Sequence, residues 1–178
     1  MKKILMTAAA ATIVLAGCNP TPKAEPTDWA EAAVENAQKQ MAVQIAAIEA
    51  DTTKVLNPVT TARNRMSVQY CGYADWRSGF FPGSVWYLYE LTGDSTLVPL
   101  AEKYTEAIDD AKKLTWHHDI GFIINCSFGN GRRLADKPEY NDVLVEAAKS
   151  LTTRFREPAG IIQSWDVNDG SWQSKRGW

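Results

Sequence analysis

The sequence holds only two histidines and three cysteines in 178 residues. The histidines, His117 and His118, are adjacent, and consecutive residues on a helix do not converge on one point. No second cluster of ligand-type residues accompanies them, so neither a metal nor another cofactor is expected. There is no basic stripe. Nineteen Lys and Arg are spread among 21 Asp and Glu, for a formal net charge of −2, which argues against a nucleic-acid partner. No internal repeat of fixed length occurs, which argues against an ordinary repeat solenoid. The glycine-rich run Ser127-Phe128-Gly129-Asn130-Gly131 lies at a helix end rather than between strand and helix, so it is not a phosphate loop. Close backbone packing is its better account. No credible pair of strands is legible.

The start of the chain has the marks of an exported lipoprotein. Lys2 and Lys3 precede an apolar run, residues 4–16, that is too short to span a bilayer permanently. Leu15-Ala16-Gly17-Cys18 then reads as a lipobox, with Cys18 as the lipidated residue. Residues 1–18 are expected to be the signal and residues 19–27 a Pro-rich extended tether. The expected location is the bacterial cell envelope, periplasm or outer membrane, with the lipid anchor as the sole membrane contact. An exported compartment permits a disulfide between the remaining Cys71 and Cys126, but two buried free thiols are favoured.

Five helices are expected. Asp28 is placed to cap the first, whose Val34, Ala37, Met41, Ile45 and Ile48 recur at helical spacing. Residues 52–75 show no sustained period, and Asn57-Pro58 reads as a turn. Pro82 suits the first turn of the second helix and Gly93 its end. Trp86 lies beside that helix's apolar stripe and is read as core. The third helix carries Leu97, Leu100, Ala101, Tyr104, Ile108 and Ala111 as far as Lys112 and Lys113. Asp119 is placed to cap the fourth, apolar nearly all round as far as Gly129. The fifth runs from about Pro138 to Phe155, and the tail from Ile161 to Trp178 reads as loop. The chain is therefore expected to be all-α.

The chain has seven Trp, six Tyr and five Phe, with clusters of rings in the long loops. The densest stretch, Trp116-His117-His118-Asp119-Ile120-Gly121-Phe122, crowds titratable groups onto the mouth of an apolar helix, as the edge of an active site does. Together with Asp75-Trp76-Arg77-Ser78-Gly79-Phe80-Phe81-Pro82-Gly83, Ser127-Phe128-Gly129-Asn130-Gly131, Ala148-Lys149-Ser150-Leu151 and Gln163-Ser164-Trp165-Asp166, it resembles glycoside hydrolase family 88, the unsaturated glucuronyl hydrolases. The likeness covers residues 28–178 in order.

The resemblance implies a barrel of six α-helical hairpins with the site in its mouth. Five helices make only a partial barrel, so residues 28–178 are expected to be the amino-terminal part of such a domain. The implied substrates are oligosaccharides left by polysaccharide lyases, whose terminal uronic acid carries a C4=C5 double bond. Asp119 matches the first of the family's two important aspartates, although taken alone it reads as a helix cap. His118 matches a substrate-contacting position, and Trp76 and Trp165 match sugar-site positions, where an indole face covers a pyranose. The family's second aspartate is not matched; Asp166 and Asp169 do not correspond to it. The chain is accordingly expected to be inactive by itself, and to expose the stripe through Leu100, Tyr104 and Ile108. A related pectin-directed family, the unsaturated rhamnogalacturonyl hydrolases, and a non-catalytic glycan-binding lipoprotein are the rival readings. Arg132, Arg133, Arg154 and Arg156 are read first as solvated surface groups.

Overall fold

The computed structural model describes residues 29–50, 56–61 and 67–164. The signal, Cys18, the tether, Asp28 and Trp165 with the rest of the tail lie outside the described residues.

The first helix, α1 (Trp29–Glu49), buries Ile48 and half-buries Val34, Met41 and Ile45, while Ala37 stays exposed. Its last carboxylate, Glu49, accepts Lys103 Nζ and Tyr104 OH, each at 2.8 Å. The chain is not free of strands, although none was expected. β1 (Asn57–Thr61) pairs antiparallel with β2 (Val68–Cys71), with an irregular register between Pro58 and Thr60. Two strands this short carry too few residues for period two to show. Pro58, tolerated in an edge strand, made the segment look like a turn.

Helix α2 (Phe80–Thr92) has Pro82 in its first turn and ends on Gly93 at φ 70°, whose N–H donates to Tyr89 O. Phe81, Val85, Trp86 and Leu88 turn inward, and the buried Trp86 indole N–H donates to Thr105 Oγ1 at 3.0 Å. Asp94 caps the short 3-10 turn Ser95–Leu97 through the Thr96 N–H. Then comes α3 (Val98–Glu106). The continuous third helix expected to Lys113 is interrupted after Glu106, and the chain resumes as a 3-10 turn, Asp109–Lys113. The expected exposure of the α3 stripe is also corrected: Tyr104 and Ile108 are buried. Tyr104 meets Phe81 edge-on at 5.0 Å, so the chain itself supplies its cover.

The fourth helix is not an ordinary α-helix. Gly121–Gly129 is wound as a π-helix and passes directly into α4 (Asn130–Leu134). Asp119 does not cap it with its side chain. Helix α5 (Tyr140–Thr152) follows. The chain then turns back as β3 (Phe155–Arg156) and β4 (Ile161–Ile162), where a plain loop was expected. Two apolar clusters form the interior. One joins Ile48 with Phe81, Val85, Trp86, Ala101 and Tyr104. The other centres on Ile120, Ile123, Ile124 and Phe128, packed against Tyr140, Val143 and Ala147. The fold is predominantly helical, and the described helices do not close a ring.

Candidate active site

The π-helix sets the site. Along it, residues alternate in pairs: Gly121 and Phe122 face outward, Ile123 and Ile124 are buried, Asn125 and Cys126 return to the surface, and Ser127 and Phe128 are buried. A repeat of about four residues suits the wider π winding and gives this helix one wet edge. Glycines of α2 hold its other side. A Cβ on Gly79 would stand 2.2 Å from Ile123 O, and one on Gly83 would stand 2.7 Å from Cys126 O. Only hydrogen at those positions lets the two backbones touch. Gly131 instead makes room for side chains, with the Tyr140 ring 2.7 Å from its would-be Cβ.

The outward pairs line an open cleft of about 510 Å³, together with His118, Asp119 and Leu151. His118 Nε2 and Asp119 Oδ2 stand 3.2 Å apart, both side chains partly buried. His117 is nearly fully buried, with its Nδ1 3.9 Å from Asp119 Oδ2. Its Nδ1 accepts the backbone N–H of Asp119 at 3.0 Å. Burial pushes the His117 imidazole below its ordinary range, and the nearby Asp119 carboxylate only partly opposes this. A neutral ring is what the Asp119 N–H requires, since a protonated Nδ1 cannot accept.

Trp76 lies beyond Phe122. The Trp76, Phe80 and Phe122 rings meet edge to face, with centroids 5.6 to 6.4 Å apart, and Trp76 remains 46% exposed. The cleft wall thus runs on through Phe122 into an exposed three-ring surface. Asp75, beside Trp76, is held by a two-pronged pair with Arg77 at 2.9 and 2.7 Å. That guanidinium keeps the Asp75 carboxyl below the usual range, so it is a poor proton donor at neutral pH. Cys126 also lines the cleft, and burial raises its thiol pKa. Cys71 and Cys126 are both free and only partly buried. Among the described residues, no three His, Cys, Asp or Glu side chains are grouped to hold a metal ion.

Of the residues singled out from sequence, Asp119 and His118 stand together, and Trp76 joins them through Phe122. Trp86 is core, as expected. Sequence reasoning missed Phe80 and Phe122 as partners of Trp76; each stands at the start of a helix, and their meeting is a long-range contact that carries no local signal. It also misjudged one arginine: Arg154 is buried at 3% exposure, whereas Arg133 is exposed and pairs with Glu90 at the surface. Arg156 donates to the Gln163 side chain.

No protein-family model matches the chain. Over 99 residues it is 44% identical to an unsaturated glucuronyl hydrolase of Formosa agariphila, covering 55% of this chain and 25% of that protein. Over 96 residues it is 36% identical to an unsaturated glucuronyl hydrolase of Bacillus sp. strain GL1, covering 51% and 25%. Each match thus spans about a quarter of the curated relative's length. Among solved structures, an unsaturated glucuronyl hydrolase specific for heparin superposes with a TM-score of 0.67 at 34% identity, over 79% of this chain and 37% of that one. Sequence and backbone agree on one likeness: the chain is similar to part of the unsaturated glucuronyl hydrolases, the glycoside hydrolase family 88 type.

Proposed function

We propose that this chain forms part of the active site of a hydrolase that removes 4,5-unsaturated glucuronyl residues from the non-reducing end of lyase-generated oligosaccharides. The supporting observation is that Asp119, His118 and Phe122 line one cleft whose wall continues into Trp76. In the proposed reaction the vinyl ether is hydrated. A proton goes to C4, the charge left at C5 resembles an oxocarbenium ion, and water adds there. The hemiketal so formed opens and releases the remaining sugar. Glycosidases of the usual kind work instead with two carboxylates flanking the glycosidic bond.

Asp119 takes the place of the first family aspartate, facing the reacting carbons. His118, beside it, contacts the uronate ring. Trp76, with Phe80 and Phe122, offers apolar surface to the sugar's C–H face, and Trp165 is assigned to the same sugar site. The acid that protonates C4 is the second aspartate, which no residue of this chain matches. Asp75 is disqualified by its Arg77 partner. Residues 19–178 alone are therefore expected to bind but not to turn over substrate. In the same reading, the helical hairpins belong to a six-hairpin barrel.

The test is a chimera. Residues 29–164 would replace the corresponding segment of the Formosa agariphila enzyme, and loss of the double-bond ultraviolet absorbance of an unsaturated chondroitin disaccharide would be followed. Turnover is expected, and Asp119→Asn should lower kcat by about 10² to 10⁴. Full activity of a folded Asp119→Asn chimera would sink the assignment. Parallel assays with pectin-derived disaccharides separate the rhamnogalacturonyl alternative. A glycan-binding lipoprotein is the second reading, favoured by the three-ring surface, which needs no acid. It predicts disaccharide binding by this chain that survives Asp119→Asn and fails in Trp76→Ala. We further propose lipidation at Cys18 and a place in the bacterial cell envelope. Release of the Cys18→Ala protein from the membrane fraction is the expected result.

A further inference from the structure

The geometry assigns Arg154 a positioning role: it fixes the loop before Asp119 and the segment before Trp165 to each other. Its relevance to saccharide binding rests on the reading of the cleft given above. The guanidinium donates through Nη1 to Trp116 O at 2.7 Å and, at the limit, to Thr115 O at 3.5 Å. Nε donates to Gln163 O at 2.8 Å and Nη2 to Ser164 O at 2.9 Å. The Gln163 N–H returns a bond to Arg154 O at 2.9 Å.

Those carbonyls belong to two stretches that do not otherwise adjoin in sequence. Trp116 directly precedes His117, whose ring holds the Asp119 N–H. Ser164 directly precedes Trp165. A buried charge persists only where its donors are satisfied, and here it is the planar fork that satisfies both stretches at once. Its donors diverge at fixed angles, so displacing one set of carbonyls strains the other. Lysine presents three donors from one point and does not span both.

The experiment uses the 178-residue chain. Proton–carbon spectra of the imidazoles would be recorded for the wild type, Arg154→Lys, Arg154→Met and a core control, Val143→Ala, at matched fractions of folded protein. Both Arg154 variants are expected to move the His117 and His118 resonances. The control is expected to leave them in place. Disaccharide affinity, measured by calorimetry, is expected to fall about tenfold in Arg154→Lys. Imidazole spectra of Arg154→Lys that coincide with wild type would overturn the positioning role. A wild type that binds no disaccharide would sink the saccharide reading, while the spectra still decide on Arg154. Should the variants fail to fold, the wild type decides. Guanidinium N–H exchange at Arg154 is expected to be at least about tenfold slower than at exposed Arg132, and equal rates overturn the proposal.

Discussion

His117 and Asp119 are joined through the backbone: the Asp119 N–H donates to His117 Nδ1 at 3.0 Å. The buried imidazole holds the backbone that carries the carboxylate. It leaves the Asp119 side chain free of the capping duty that its place before a helix suggested.

This bond makes stability depend on pH with a defined sign. Burial lowers the folded His117 pKa from its ordinary 6.5. Asp119 and Asp75 pull it upward and His118 pulls it down. The unfolded chain therefore binds this proton first on acidification. The His117 contribution is fully present above pH 6.5 and is lost as pH falls from there through the lower folded value. Urea midpoints measured across that window should drop in the wild type and drop less in His117→Gln.

The contact between α2 and the π-helix tolerates no added carbon. Gly79→Ala and Gly83→Ala press a methyl group against backbone carbonyls that cannot swing aside. Each is expected to cost about 1–3 kcal/mol or more, seen as a fall in Tm. Gly93→Ala meets no neighbour, but at φ 70° it should cost about 1 kcal/mol from backbone strain alone. A Gly79→Ala protein as stable as wild type would mean the two backbones do not touch.

Cys71 should be slow to react. Burial, then Asp75, pushes its thiol up to about 11, with Arg77 opposing. Near pH 8 its alkylation should run about a hundredfold slower than that of an exposed cysteine. Urea should restore the ordinary rate. Rapid labelling of the folded chain would contradict the burial.

Trp86→Phe keeps an aromatic ring in the core but leaves Thr105 Oγ1 without its indole donor. A loss of about 2 kcal/mol is expected from the orphaned hydroxyl and the lost ring area. Thr105→Val in the Trp86→Phe background should recover part of it.

Much of the frame was legible because helical periodicity and punctuation are local. Pro82 and Gly93 marked both ends of α2, and Trp86 declared itself core by its place beside the stripe. The π-helix was not legible as such. Read at the ordinary helical period, residues 121–129 have no polar face. At the wider period, Phe122 and Asn125 fall on one edge and Ile123, Ile124 and Phe128 on the other. Arg154 was misread for a different reason: its partners are carbonyls 38 residues back and 10 ahead, and carbonyls carry no sequence signal. The short strands escaped notice because they carry too few residues for period two to show, and Pro58 made β1 look like a turn. At the site, His-His-Asp was visible as a cluster, but which histidine faces inward was decided only by packing.

The glycine contacts along the π-helix separate what holds the cleft from what lines it. The backbone is located by Gly79 and Gly83 against the Ile123 and Cys126 carbonyls, so the outward side chains do not set its position. Phe122 and Asn125 can then be exchanged, altering the shape and polarity of the cleft, while the frame beneath stays where it is. The lining of the cleft can change at those positions at little cost in stability, whereas the two glycines admit no added carbon.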